Sequence, residues 1–188
     1  MSQKLGANQT LLRSVQKYAE YGWSVFQLIE RNGKLKPLTK AKEGGARWDA
    51  TTDFGEIRQR WTKNSNAGIG IVTGKKSGLL VVDVDSMEGH GVDGLTSLRA
   101  LTEKHEDLPD TVMANTPSGG RHVYFKYPVN RKINIGAGII AQGIDHRANG
   151  DFIVAPPENP PALAAGINLE QARVIADLYF GGGCHGWS

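Results

Sequence analysis

Apolar positions recur at helical spacing near the start of the chain, at Leu11, Leu12, Val15, Tyr18 and Ala19, and Gly22 closes the pattern. This spacing predicts an amphipathic helix over residues 10–21. Trp23 opens a short β-rich run that ends at Ile29. Residues 30–50 lack periodicity and read as an exposed basic loop, with Arg31, Lys34, Lys36, Lys40, Lys42 and Arg47 against Glu30, Glu43 and Asp49. Thr52 or Asp53 can cap a helix through Ile57 and Trp61, and the Asp53–Glu56 spacing matches a capping box. Two apolar strands, 68–73 and 79–85, flank Gly74-Lys75-Lys76-Ser77-Gly78, which predicts a hairpin.

Leu95, Leu98, Leu101 and Thr102 outline a helix that stops before Leu108-Pro109. Short strands are expected at 111–115, 121–127 and 152–155, separated by Ser118-Gly119-Gly120 and by a loop over 143–151, with Pro156-Pro157 as the stop. Leu169, Ala172, Ile175, Ala176 and Tyr179 trace a last helix. Residues 1–158 are therefore expected to form one compact α+β domain. Residues 159–188 are expected to form a linker and helix leading toward further domains.

Composition narrows the class. With 188 residues, 39% of them hydrophobic, and a net charge of +3, the chain can bury a core and is not mainly disordered. A pI near 9.0 permits a polyanionic partner without requiring one. The lone Cys184 excludes an internal disulfide, and no apolar run approaches the ~20 residues of a membrane helix, so a cytoplasmic protein is expected. The 24 glycines cluster beside apolar runs, which fits either a turn-rich fold or a phosphate-handling site.

Three segments carry candidate chemistry. In Val81-Val82-Asp83-Val84-Asp85, strand alternation puts both carboxylates on one face, continuous with Leu79 and Val81. Paired carboxylates repel unless a cation neutralises them, and hard oxygen donors suit Mg²⁺ or Mn²⁺; a strand running out into solvent would have the same pattern. In Thr116-Pro117-Ser118-Gly119-Gly120-Arg121-His122-Val123-Tyr124-Phe125, the open glycine backbone, a hydroxyl and two donors could hold a triphosphate, or form a plain β-turn. Alternation there sets His122 and Tyr124 on one face, with Val123 and Phe125 on the other. In Gly143-Ile144-Asp145-His146-Arg147, Asp145 adds a third carboxylate and Arg147 a guanidinium, which could equally form a local salt bridge.

In this order, the segments resemble the bifunctional primase-polymerase (prim-pol) domain of the archaeo-eukaryotic primase superfamily, common in phage and plasmid replication. The resemblance runs from Tyr18-Ala19 and Gly22-Trp23-Ser24-Val25-Phe26 to Val154-Ala155-Pro156-Pro157. Lys34-Leu35-Lys36-Pro37, Ala50-Thr51-Thr52-Asp53 and Gly68-Ile69-Gly70-Ile71-Val72-Thr73-Gly74 lie between those ends. It implies an archaeo-eukaryotic-primase-like α+β fold, an α/β lobe packed on an RRM-like antiparallel sheet with the active site between them.

The resemblance also implies DNA primase and polymerase activity. Asp83, Asp85 and Asp145 would be catalytic and bind two Mg²⁺ or Mn²⁺ ions; Ser118, Gly119, Gly120, His122 and Arg147 would bind the nucleotide. DNA template or primer and NTP or dNTP are the implied partners, with a replicative helicase domain in the full-length protein, no membrane, and a monomeric isolated domain. Lys34, Lys36, Lys40, Lys42 and Arg47 are candidates for the nucleic-acid backbone, or a solvated basic loop. Ala148-Asn149-Gly150-Asp151 departs from the family's usual glycine-rich turn, so Asp151 stands beside Asp145 as a second candidate for the third acid; adjacency to Arg147 favours Asp145. A binding module without turnover and a metal-dependent nuclease are the alternative functions.

Overall fold

The structure, a computed structural model, describes residues 7–40, 47–105, 107, 108, 111–128, 130, 133 and 136–157. In chain order come helix α1 (Ala7–Glu20), strands β1 (Val25–Arg31) and β2 (Lys34–Pro37), a short 3-10 turn (Arg47–Asp49) and helix α2 (Phe54–Lys63). Strands β3 (Gly68–Val72) and β4 (Leu79–Val84) lead to helices α3 (Met87–His90) and α4 (Gly94–Lys104). Strands β5 (Met113–Asn115), β6 (Arg121–Lys126), β7 (Gly136–Ala141), β8 (Ile144–Arg147) and β9 (Phe152–Ala155) complete them. The strands form two sheets, ordered β2-β1-β3-β9 and β5-β6-β4-β8-β7. All their pairings are antiparallel. The expected α+β class is what the structure shows.

Side-chain alternation explains the layering. One face of the first sheet buries Val25, Ile69, Ile71, Ile153 and Ala155 with Val15 and Tyr18 of α1, Ile57 and Trp61 of α2, and Leu79, Val81 and Tyr124 of the second sheet. The opposite face of the second sheet, with Leu80, Val82, Val84, Val123 and Phe125, packs on Leu95, Leu98 and Leu101 of α4. Strand β4 is thus apolar on both faces because both are covered. Two tryptophans serve packing: Trp48 stacks on Phe26 with ring centroids 4.9 Å apart, and Trp23 on Tyr124 at 5.6 Å. The Asp53 cap forms as read, accepting from the Glu56 N–H at 2.8 Å.

Three local expectations are corrected. Strands β3 and β4 do not form a hairpin within one sheet; they belong to different sheets, and the turn between them is closed by the Gly74–Leu79 bridge. Each of these strands is buried on both sides, so each takes an interior place in its own sheet. The 30–50 stretch is not all loop: β1 and β2 pair as a hairpin about Asn32 and Gly33, whose φ angles of 55° and 72° are those of a type I′ turn. The 143–151 loop contains β8, where Ile144 and His146 are buried and Asp145 and Arg147 half-buried. A buried histidine hides that alternation in a polar-looking tetrapeptide. Residues 159–188, with the expected linker and last helix, lie outside the described residues, as does Lys42. Among the described residues no helix is long and apolar enough to cross a membrane.

Candidate active site

Strand β4 lies between β6 and β8, and its register sets Asp83 opposite both His122 and Asp145. Opposed residues project to the same face. This is the face that sends Leu79, Val81 and Tyr124 into the core shared by the two sheets. Arg147 sits opposite Val81, diagonal to Asp83. The face therefore changes along the strand from apolar to charged, and the acids lie where the shared core ends.

Asp83 is the hub. Its Oδ1 lies 3.4 Å from Nε2 of His122, and its Oδ2 accepts from Nη2 and Nε of Arg147 at 2.9 and 3.2 Å. Burial pushes the Asp83 carboxyl up, but His122 and Arg147 outweigh it and hold the group below its ordinary value of 3.8. The same Arg147 Nη2 donates to Asp145 Oδ2 at 3.1 Å, and Nη1 donates to Asp151 Oδ2 at 3.3 Å. One guanidinium thus ties three carboxylates together.

Asp85 follows directly on β4. Its N–H donates to the Gly143 carbonyl at 2.9 Å, and its carbonyl accepts from the Gly94 N–H at 3.1 Å. Its Oδ1 lies 2.7 Å from Nδ1 of His90 on α3. Burial raises the Asp85 carboxyl; His90 opposes the rise, while Asp83 and Asp145 add to it by repulsion. Ser86 caps α3, accepting from the Gly89 N–H at 3.1 Å, and donates its hydroxyl proton to the Ser118 carbonyl. His90 and Ser86 are site residues that the sequence reading missed. The available signal was a serine of N-cap type immediately after the two acids.

The Ser118-Gly119-Gly120 turn leans on this segment. Gly119 takes a φ of 82°, and Gly120 is so close to the strand end that a Cβ there would lie 2.3 Å from the Val84 carbonyl oxygen. Thr116 Oγ1 and Ser118 Oγ are 3.0 Å apart. The structure thus gathers Asp83, Asp85, Asp145, His122, Arg147 and this turn into one region. Among the described residues, it does not gather Lys34 and Lys36 with them. Lys34 and Lys36 lie on β2, at the opposite edge of the first sheet from β9, which Asp151 precedes. Three strand spacings put those edges about 14 Å apart. Lys40 is exposed in the segment after β2, and the Arg47 side chain lies outside the described residues.

The donor chemistry fits a hard divalent cation: the site offers carboxylate oxygens, and burial, with a smaller contribution from the neighbouring Asp83 and Asp145, raises Asp85. Among the described residues, no three His, Cys, Asp or Glu side chains converge as a finished ligand group. Arg147 lies between Asp83 and Asp145, and His90 engages Asp85.

The two neighbouring acids have opposite effects on stability. The lowered pKa of Asp83 makes its ionisation stabilising above 3.8, a contribution lost as pH falls through the folded value. The raised pKa of Asp85 gives a contribution present below 3.8 and lost as pH rises through the folded value, so at pH 7 its charge is destabilising. Melting curves at pH 7 should show Asp85→Asn above the parent Tm and Asp83→Asn below it. Equal shifts of the same sign would contradict the assignment.

A family model described as bifunctional DNA primase/polymerase, N-terminal, matches residues 15–177. No curated protein sequence matches the chain.

Proposed function

We propose, from the premise that the chain belongs to the bifunctional DNA primase/polymerase (Prim-Pol) family, that it carries out template-directed nucleotidyl transfer on DNA. The observation that carries this reading is the register placing Asp83 between His122 and Asp145, with Asp85 directly after the end of that strand. Asp83, Asp85 and Asp145 would hold two Mg²⁺ or Mn²⁺ ions. When bound, such ions lower the pKa of the attacking 3′-hydroxyl and neutralise the pyrophosphate that leaves.

The remaining steps fall to the chain's own groups. The Ser118-Gly119-Gly120 turn and His122 would bind the triphosphate, with Asp83 orienting the imidazole through its Nε2 at 3.4 Å. Arg147 would add charge stabilisation at the phosphates, since its guanidinium can make several directed bonds at once. The basic residues Lys34, Lys36, Lys40, Lys42 and Arg47 would contact the template or product backbone. A phage or plasmid replication setting, a helicase domain in a longer protein and a monomeric catalytic domain belong to the same reading.

The test is incorporation of labelled nucleotides on single-stranded DNA with Mg²⁺ or Mn²⁺, with and without a primer. Template-dependent products with pyrophosphate release are expected. Cleavage of labelled DNA without nucleotides would instead identify a nuclease, and tight nucleotide binding without incorporation under either metal would identify a binding module.

A further inference from the structure

Asp145 and Asp151 differ in what holds them. Asp145 projects from β8 directly opposite Asp83, inside the second sheet. Asp151 belongs to the entry of β9, in the other sheet. Its carbonyl accepts from the Thr73 N–H at 3.0 Å, its Oδ1 accepts from the Phe152 N–H at 2.8 Å, and its Oδ2 accepts from Arg147 Nη1 at 3.3 Å. Both carboxylate oxygens are therefore engaged, in a side chain only 14% exposed. Arg147 meets the two sheets with different nitrogens: Nη1 toward Asp151, Nη2 toward Asp83 and Asp145.

We propose that Asp151 is a positioning residue for Arg147, keeping hold of Nη1 while Nη2 and Nε give up Asp83 and Asp145 to incoming divalent cations. This rests on the reading of Asp83 and Asp145 as metal ligands. The guanidinium now pairs with the two carboxylates that a metal ion would take, and a guanidinium and a metal ion on the same oxygens would repel one another. A half-buried arginine with no other partner would leave that pair only at a large desolvation cost, because breaking such a pair strands an uncompensated charge. Asp151 supplies a partner that Arg147 keeps in both arrangements. The freed Nη2 and Nε then remain beside the site, where triphosphate oxygens can accept from them. Its anchorage in the other sheet also fixes Asp151 as Arg147 changes partners.

The test is a double-mutant cycle read by Mn²⁺ binding to the nucleotide-free chain, followed by the electron paramagnetic resonance of free Mn²⁺. The proteins are the parent, Asp151→Asn, Arg147→Gln and the double variant. Asp151→Asn is expected to weaken Mn²⁺ binding roughly tenfold when Arg147 is present and less than about twofold in the Arg147→Gln background. Equal weakening in both backgrounds overturns the proposal, because Asp151 would then act on the ion itself, as a ligand or through its charge. Asp151→Ser, which keeps an oxygen for the Phe152 N–H, runs through the same cycle if the asparagine variant fails to fold. If the parent binds no Mn²⁺, the metal reading of the site falls and this proposal falls with it. If the parent binds Mn²⁺ but the cycle is additive, only this proposal falls.

Discussion

Asp83→Asn is expected to cut nucleotide incorporation by at least about 10³-fold, a loss of about 4 kcal/mol of transition-state stabilisation, while the chain stays folded. Asparagine keeps the shape of the side chain but removes its charge. In the structure that charge bonds both His122 and Arg147, and lies directly opposite Asp145. Its loss therefore removes a proposed metal ligand, the group that orients the imidazole and the main counter-charge to the guanidinium, all in one substitution. Incorporation is measured under saturating nucleotide and Mn²⁺, with melting curves showing that the variant is folded at the assay temperature. Activity within tenfold of the parent would remove Asp83 from the catalytic machinery. Asp85→Asn should also abolish synthesis, yet with the opposite shift in Tm at pH 7. A variant that is more stable but inactive would mark Asp85 as a residue kept for chemistry at a cost to stability.

The fold was legible where one side-chain period dominates. Leu11, Val15 and Tyr18 set the face of α1, and the same alternation that joined Asp83 to Val81 in the sequence joins them in the sheet. It was illegible where a pattern depends on a neighbour that is distant in the chain. Nothing local distinguishes a 68–85 hairpin from two strands entering different sheets, because both strands are apolar on both faces and their partners, β1, β6, β8 and β9, lie elsewhere. Strand β2 was hidden by Lys34 and Lys36, which an edge strand tolerates because one side is open to water. The Asn32-Gly33 pair was the signal for that hairpin, and the charge pattern masked it.

The candidate site divides along the same line. Residue types and order pointed to Asp83, Asp85, His122, Asp145 and Arg147, and the structure brings these together on or beside one sheet face. What the sequence could not display is how they are held. The Ser86 bond to Ser118 is a tertiary juxtaposition, and the Asp85–His90 and Arg147–Asp151 contacts, though close in sequence, cross from a strand end to the next element, where no helical or strand period announces them. Lys34 and Lys36 are the converse case: charged and close in sequence to the core, they occupy the far edge of the first sheet because β2 is that edge.

Gly94→Ala is the substitution expected to damage stability and catalysis together. Gly94 opens α4 and is buried. A Cβ there would lie 2.1 Å from the Gly143 carbonyl oxygen and 2.9 Å from the Asp85 carbonyl oxygen. Both are backbone atoms, so no side chain can swing aside to make room. The same three residues are hydrogen-bonded to one another, Gly94 N–H to Asp85 and Asp85 N–H to Gly143. A methyl group therefore has to part the start of α4 from the β7–β8 turn, and the backbone of Asp85 lies in that seam. Overpacking of this kind costs about 1–3 kcal/mol, which for a chain of this size lowers Tm by roughly 2–12 °C. Displacing the Asp85 carboxylate by an ångström costs about 10²-fold in rate, so incorporation should fall by that order even well below the lowered Tm. Gly68→Ala is the control, because its Cβ would meet only side-chain carbons at 3.4 Å and beyond, at the end of β3 opposite the one that meets Asp151. If Gly94→Ala and Gly68→Ala behave alike in melting and in incorporation, the backbone seam is not what holds Asp85 in place. A loss of rate confined to Gly94→Ala at a temperature where both variants are folded would assign the seam to catalysis, beyond its part in stability.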